Sequence, residues 1–276
     1  PRSDRRRTRQ KSSRIWREIN KMRIILSPAK KMNGDTDALP WRDLPAFLPK
    51  AQQLLNQLRL MSFEELKRLW KCNDSIARLN VERLSGMDLR GNLKPAILAY
   101  EGIQYQYMAA DVFTQNEYDY VQEHLRILSG FYGMLRPLDG VTPYRLEMQA
   151  KLRVGTAKDL YGFWGDMLAR CLWNETDCVV NLASKEYSLC ISRYLKPPAR
   201  MITCVFGEEK DGKILEKGTL CKMARGRMAR FMAERQIENA EEIKPFSELG
   251  YRYSEKHSDE RTYVFVLSKK GRQQDF

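Results

Sequence analysis

The 276-residue sequence predicts an α+β fold, a single domain in which a mixed β-sheet is surrounded by helices. Three observations predict it. Short apolar runs of strand character are scattered among segments of helical periodicity, one pair of runs is joined by a hairpin signal, and no repeat or linker divides the chain. With 43% hydrophobic residues the sequence can bury a substantial core. No stretch approaches the roughly 20 apolar residues of a membrane span.

Residues 1–21 carry nine Lys or Arg against Asp4 and Glu18, so this head contributes +7 of the formal net charge of +13. It has no apolar run long enough for a signal peptide. We expect it to be a non-native or disordered basic extension ahead of a single domain over residues 22–276; a nucleic-acid-binding arm is the alternative. Met22 opens the strand MRIILS, which Pro28 stops, leaving Lys30 on a strand-end loop. Residues 46–86 should form two or three helices: Phe47, Leu48, Ala51, Leu54, Leu55 and Leu58 keep helical spacing, and Ser62 with Glu65 reads as a capping box.

Pro95–Tyr100 reads as a short buried strand or turn, followed by a helix through Tyr105, Met108 and Val112. From Asn116 a helix should place Tyr118, Val121, Leu125 and Leu128 on one face. It breaks at Gly130, turns through Phe131-Tyr132 and resumes after Gly133, with Arg126, Arg136 and Arg145 bracketing the turn. Glycines at both ends of a tight turn allow backbone N–H groups to approach a phosphate; an ordinary helix C-cap is the alternative. Thr156 should cap the next helix. Val179–Leu182 reads as a central strand, Ser184 as a helix cap, 200–217 as a hairpin turning at Asp211-Gly212, and 262–268 as a last strand.

The segment Leu220–Arg235 can be drawn on a helical wheel. With Lys222 at 0°, Arg225, Arg230 and Arg227 fall at about 300°, 80° and 140°, while Ala224, Met228 and Met232 lie on the other side. This is either a phosphate-binding face or a solvated one. Gly226 inside the helix suggests a close backbone or ligand approach. Neutralising four phosphates would give a slope of log affinity against log salt near about −3.6 on duplex DNA.

Cys72, Cys171, Cys178, Cys190, Cys204 and Cys221 make no C-x-x-C pair, and His124 and His257 are the only imidazoles. No metal or cofactor is therefore expected, and reduced, buried thiols in a cytoplasmic protein are. P-loop, dinucleotide, G-x-S-x-G and H-E-x-x-H signatures are absent.

Six ordered motifs resemble the bacterial peroxide-stress protein YaaA family, formerly a domain of unknown function. They are ILSPAK (25–30), AILAYEGIQY (96–105), HLRILSGFYGMLRPLDGVTPYRLEM (124–148), DLYGFWGD (159–166), VVNLASKEY (179–187) and ARGRMARF (224–231). The resemblance implies a helix-hairpin-helix element at 128–133, a positively charged cleft, DNA binding, and protection against hydrogen peroxide with an indirect effect on intracellular iron. The turn here carries two aromatics between its glycines, where that element usually has Gly-x-Gly. Taken with the charge pattern, the expected DNA-contacting residues are Lys30, Arg126, Gly130, Phe131, Tyr132, Gly133, Arg136, Arg145, Lys222, Arg225, Arg227 and Arg230. Binding is expected to be to backbone phosphates of duplex or locally opened DNA, without sequence readout, by a monomer. The rival class is an enzyme acting on a small phosphate-bearing or nucleotide-like substrate, with Lys30, Glu101, Asp166 and Asn181 converging on one pocket.

Overall fold

The structure, a computed structural model, describes residues 21–34 and 39–268. Apart from Lys21, the basic extension lies outside the described residues.

Along the chain, β1 (Arg23–Leu26) gives way at Pro28 to a loop and the two-residue β2 (Lys31–Met32). Three helices then appear as expected: α1 (Leu48–Arg59), α2 (Phe63–Trp70) and α3 (Asp74–Ser85). The Ser62–Glu65 capping box forms, with Glu65 accepting the Ser62 backbone N–H at 2.8 Å. The stretch β3 (Lys94–Pro95), α4 (Ala96–Ala99), β4 (Tyr100–Glu101) and α5 (Ile103–Met108) precedes α6 (Gln115–His124). After β5 (Leu125–Ser129), β6 (Gly133–Leu135) and β7 (Gly140–Val141) come α7 (Leu160–Trp164), α8 (Met167–Trp173), β8 (Cys178–Asn181) and α9 (Lys185–Ser192). The hairpin of β9 (Arg200–Lys210) and β10 (Lys213–Leu215) turns at Asp211-Gly212, both at positive φ, as the sequence predicts. Then follow α10 (Gly218–Glu234), β11 (Tyr251–Tyr253) and β12 (Thr262–Leu267).

The main sheet runs β11-β12-β9-β8-β1-β5-β6, with β10 beside β9. Its five inner strands, β12, β9, β8, β1 and β5, are parallel, and antiparallel β11 and β6 close the edges. The sheet is therefore mixed, with helices around it. Every residue of β1, β5 and β8 is buried, as expected for strands covered on both faces. In chain order the parallel strands lie 2-1-3-4-5: the chain goes from β1 outward to β5, then returns to the other side of β1 as β8. The order reverses between β1 and β8, and in such sheets the crevice outside the carboxyl ends at the reversal is where ligands bind.

Two local expectations are corrected. The helix ahead of Gly130 ends at His124, and residues 125–135 are a β-hairpin, so the glycine turn joins two strands and not two helices. Leu125 and Leu128 keep helical spacing by coincidence, because a strand buried on both faces has apolar residues at nearly every position and loses its period of two. The second correction is at the start of α7, where Asp159 rather than Thr156 is the cap, accepting the Gly162 N–H at 2.9 Å.

Candidate functional site

The loop after β1 and the start of α9 after β8 meet at the strand-order reversal. Ser27 Oγ accepts the Ser184 backbone N–H at 2.8 Å and lies 3.2 Å from Ser184 Oγ. Ser184 thus occupies the N-cap position of α9, but its hydroxyl faces Ser27 and makes no cap bond. The Ser27 carbonyl accepts from both Gln104 Nε2 and Tyr105 Oη at 3.0 Å, which ties the loop to α5.

Helix α10 packs on α5, and Gly226 is the reason it can. A Cβ at 226 would lie 2.1 Å from the Gln104 carbonyl oxygen. The close approach suspected from the sequence is therefore to backbone, and it carries Lys222, one turn earlier, and Arg225, the preceding residue, to the cavity at the reversal.

The result is a cavity of about 400 Å³ lined by the Ser27–Lys31 loop, residues 101–105, residues 144–147, the start of α9, and Lys222 and Arg225 of α10. A second cavity of about 340 Å³, between α2 and residues 147–151, shares Glu147 with the first. Along the two, eight Lys or Arg side chains (Lys30, Lys31, Arg68, Lys71, Arg145, Lys151, Lys222, Arg225) face four carboxylates (Glu65, Glu101, Glu147, Glu186).

Those charges are unevenly matched. Lys30 pairs with Glu147 at 2.9 Å and Lys31 with Glu101 at 2.6 Å. Arg145 reaches Glu147 only at 3.6 Å and the Trp70 carbonyl at 3.5 Å, and Arg225 reaches Glu216 at 3.4 Å. Lys222 makes no ion pair among the described residues. Four buried side-chain nitrogens among the described residues lack an acceptor, and three of them, Arg145 Nε, Arg225 Nε and Trp70 Nε1, belong to residues lining these cavities. Burial pushes the Glu186 carboxyl up from the usual range; neighbouring Glu147 adds to the effect, and Lys30 opposes it. Tyr105 and Tyr187 are pushed well up by burial and stay neutral phenols.

The twelve residues expected to contact DNA divide sharply. Lys30, Arg145, Lys222 and Arg225 line the first cavity. Gly130, Phe131, Tyr132 and Gly133 are buried in the core. A Cβ at 130 would meet the Leu146 carbonyl oxygen at 2.5 Å; Gly133 has φ +78° and would meet the Trp164 ring at 2.8 Å. Both glycines are thus needed for packing and turn geometry. Phe131 and Tyr132 donate their N–H groups to Ser129 Oγ, at 3.2 and 2.8 Å, and Trp164 Nε1 donates to the Gly130 carbonyl at 3.0 Å.

Arg126 is also buried. It bonds Glu175 at 2.5 Å and donates to the carbonyls of Gln122, Glu123 and Leu125, capping the end of α6. Burial pushes Glu175 up, but the Arg126 and Arg23 guanidiniums more than offset it and hold the carboxyl below its usual range. On α10, Arg227 is engaged by Glu248 and Arg230 by Glu234, so the four-cation face of the wheel splits into two. Arg136 is exposed and lines neither cavity.

Of the four groups expected to converge for an enzyme, Lys30 and Glu101 line the cavity. Asn181 instead brackets the end of β8, accepting the Ala183 N–H at 2.9 Å and donating to Thr203 at 3.2 Å, and Asp166 faces Arg170 at the start of α8. Glu147, readable in the sequence as an anchor for nearby arginines, and Glu186, readable as a reactive group, line the cavity, whereas Ser27, Tyr105 and Tyr187 were missing from the sequence-based set. They are far apart in the chain, and the signal that could have united them was Pro28 and Ser184, each within three residues of a strand's carboxyl end. Among the described residues no group of three His, Cys, Asp or Glu is placed to hold a metal ion, and no helix is long and apolar enough to cross a membrane.

Fold and cleft together define an α+β protein with a parallel core and a cavity at its strand-order reversal. The chain belongs to the YaaA family: the family model described as peroxide stress protein YaaA matches residues 22–257. It is 54% identical over 245 residues to a UPF0246 protein of Lachnoclostridium phytofermentans, covering 89% of this chain and 96% of that one. A UPF0246 protein of Agathobacter rectalis is 55% identical over 244 residues (88% and 98%), and one of Pediococcus pentosaceus 49% over 245 residues (89% and 98%).

Proposed function

We propose that the protein serves in the peroxide-stress response by holding DNA through its phosphates along the two adjoining cavities, with Lys30, Arg145, Lys222 and Arg225 as the central contacts. The observation that carries this reading is the excess of eight cations over four carboxylates among the residues lining the two cavities, of which Lys151 is held by Asp159, Arg145 and Arg225 are loosely held, and Lys222 makes no ion pair among the described residues. Phosphate neutralisation gives affinity without sequence preference, so binding should vary little between DNA sequences. Any effect on intracellular iron is then indirect.

The test is a fluorescence anisotropy titration with single-stranded, duplex and bubbled DNA over a salt series. It should be run on the full chain and on a chain starting at Met22, which separates the basic head from the cleft. Replacing Lys222 and Arg225 together by Ala should flatten the log–log salt slope by about 1.8, the release expected for two phosphates. An unchanged slope removes α10 from the interface and defeats the reading.

A further inference from the structure

We propose that the cavity at the β1–β8 reversal holds a single nucleoside monophosphate unit, with its phosphate against Lys222 and Arg225 and its base and sugar against Pro28, Ile103 and Leu146. This rests on the reading that the cleft takes phosphate, and it adds to that reading a unit size and an apolar half.

The first observation is size. A surface that only tracks a backbone needs a row of cations, whereas this cavity of about 400 Å³ falls within the roughly 300–1,000 Å³ range of small-ligand pockets. Its position also follows the rule for parallel sheets, in the crevice outside the carboxyl ends of β1 and β8 where the order reverses. The second observation is the lining, which is divided. Pro28, Ile103 and Leu146 supply apolar lining that the face of a base can pack on, and Lys222 and Arg225 stand on α10.

The third observation concerns unfilled capacity. Arg225 and Arg145 keep their nearest carboxylates at 3.4 and 3.6 Å, and each has a buried Nε with no acceptor. Leaving a buried donor unmade is unfavourable, and a phosphate or base acceptor would relieve it. Glu186, which lines the cavity and accepts the Gln149 N–H at 3.2 Å through one oxygen, adds a further acceptor for a base edge.

One nucleotide can come from two sources: free in solution, or as an unpaired residue of a bound strand. The test uses the full 276-residue chain and separates them. In the first arm, calorimetric titration compares 5′-dAMP with inorganic phosphate, and dAMP should bind at least tenfold more tightly. In the second arm, a duplex with one unpaired 2-aminopurine should change its emission on binding, while the same probe in a fully paired duplex should not.

Ile103→Trp fills the apolar half without altering a charge. It should cost tenfold or more in dAMP affinity and abolish the 2-aminopurine change, with the paired-duplex salt slope retained. Because the dAMP-to-phosphate ratio is read on the unaltered chain, the test survives a misfolded variant, which thermal melting would reveal. A positive result in either arm supports the site and names its source. If dAMP binds no better than phosphate and the two probes behave alike, the proposal is overturned. In that case a persistent salt-dependent duplex affinity leaves the cleft reading standing, and its loss removes both.

Discussion

Two regions of this molecule carry paired signals of glycine and arginine, and the protein uses them in opposite ways. Around Gly130 and Gly133 every element is spent inside the fold. The turn's amides go to Ser129, its glycines make room for Leu146 and Trp164, and Arg126 is held by Glu175. At the β1–β8 reversal, Gly226 also makes room for backbone, but there the packing leaves Lys222 and Arg225 beside an open cavity. In both regions the glycine admits a close approach by the fold itself; the difference lies in the neighbouring cations, with Arg126 tightly paired to Glu175 and Arg225 only loosely to Glu216.

The largest effects that could break this comparison are on stability. Gly226→Ala places a methyl 2.1 Å from a backbone oxygen, which cannot swing away as a side chain could. It should cost about 3 kcal/mol or more, at the upper end for overpacking. Gly133→Ala adds strain at φ +78° to a clash with Trp164 and should cost a similar amount. Denaturant melts within about 0.5 kcal/mol of wild type would show that neither site is packed as described.

Arg126→Ala comes next. It leaves Glu175 with Arg23 as its remaining close partner and uncaps α6, for an expected loss of about 3 kcal/mol. Its DNA salt slope, measured where the variant is folded, should match wild type. Lys222→Ala should do the reverse, changing stability by less than about 0.5 kcal/mol and flattening the slope by about 0.9. If Arg126→Ala flattened the slope instead, the hairpin would be on the DNA side after all.

Acid–base behaviour sharpens the picture of the closed region. Burial pushes Asp139, which accepts the Arg136 N–H at 2.8 Å, up to about 7. An acid raised on folding contributes stability that is fully present below its unfolded value near 3.8 and is lost as pH rises through about 7. Wild-type stability should therefore decline between about pH 4 and 7 by about 1 kcal/mol or more from this group, and Asp139→Asn should remove that decline. Parallel pH profiles of the two proteins would contradict the burial of this carboxyl.

The smallest effect expected is on the thiols. Burial pushes Cys190 and Cys204 up to about 12 and Cys221 up to about 11. Peroxide attacks the thiolate, so these three should remain titratable as free thiols after exposure at neutral pH. Their rapid oxidation would point to a thiol-based role in the peroxide response.

Much of the scaffold was legible in the sequence because it rests on local chemistry. Pro28 ends β1, Ser62 with Glu65 opens α2, and Asp211-Gly212 turns the β9–β10 hairpin. The β5–β6 hairpin was not, since burial on both faces erased the alternation that marks a strand. Among the residues lining the cavity, Lys30, Arg145, Lys222 and Arg225 were singled out in the sequence by charge. Ser27, Tyr105 and Tyr187 were not, because their convergence depends on the order in which parallel strands lie, and that order is a product of long-range packing. Nor could spacing on a wheel tell Arg225 from Arg227, whose partner Glu248 comes from outside the helix, whereas Arg230 pairs with Glu234 one turn further along the same helix, an i,i+4 spacing the sequence does carry.

Hydrogen–deuterium exchange of the full chain with and without duplex DNA compares both regions in one experiment. Slower exchange is expected at residues 27–31, 101–105, 144–147 and 184–187, with residues 128–135 unchanged. Protection gained at 128–135 with the cleft segments unaffected would contradict the assignment of the anion site to the β1–β8 reversal.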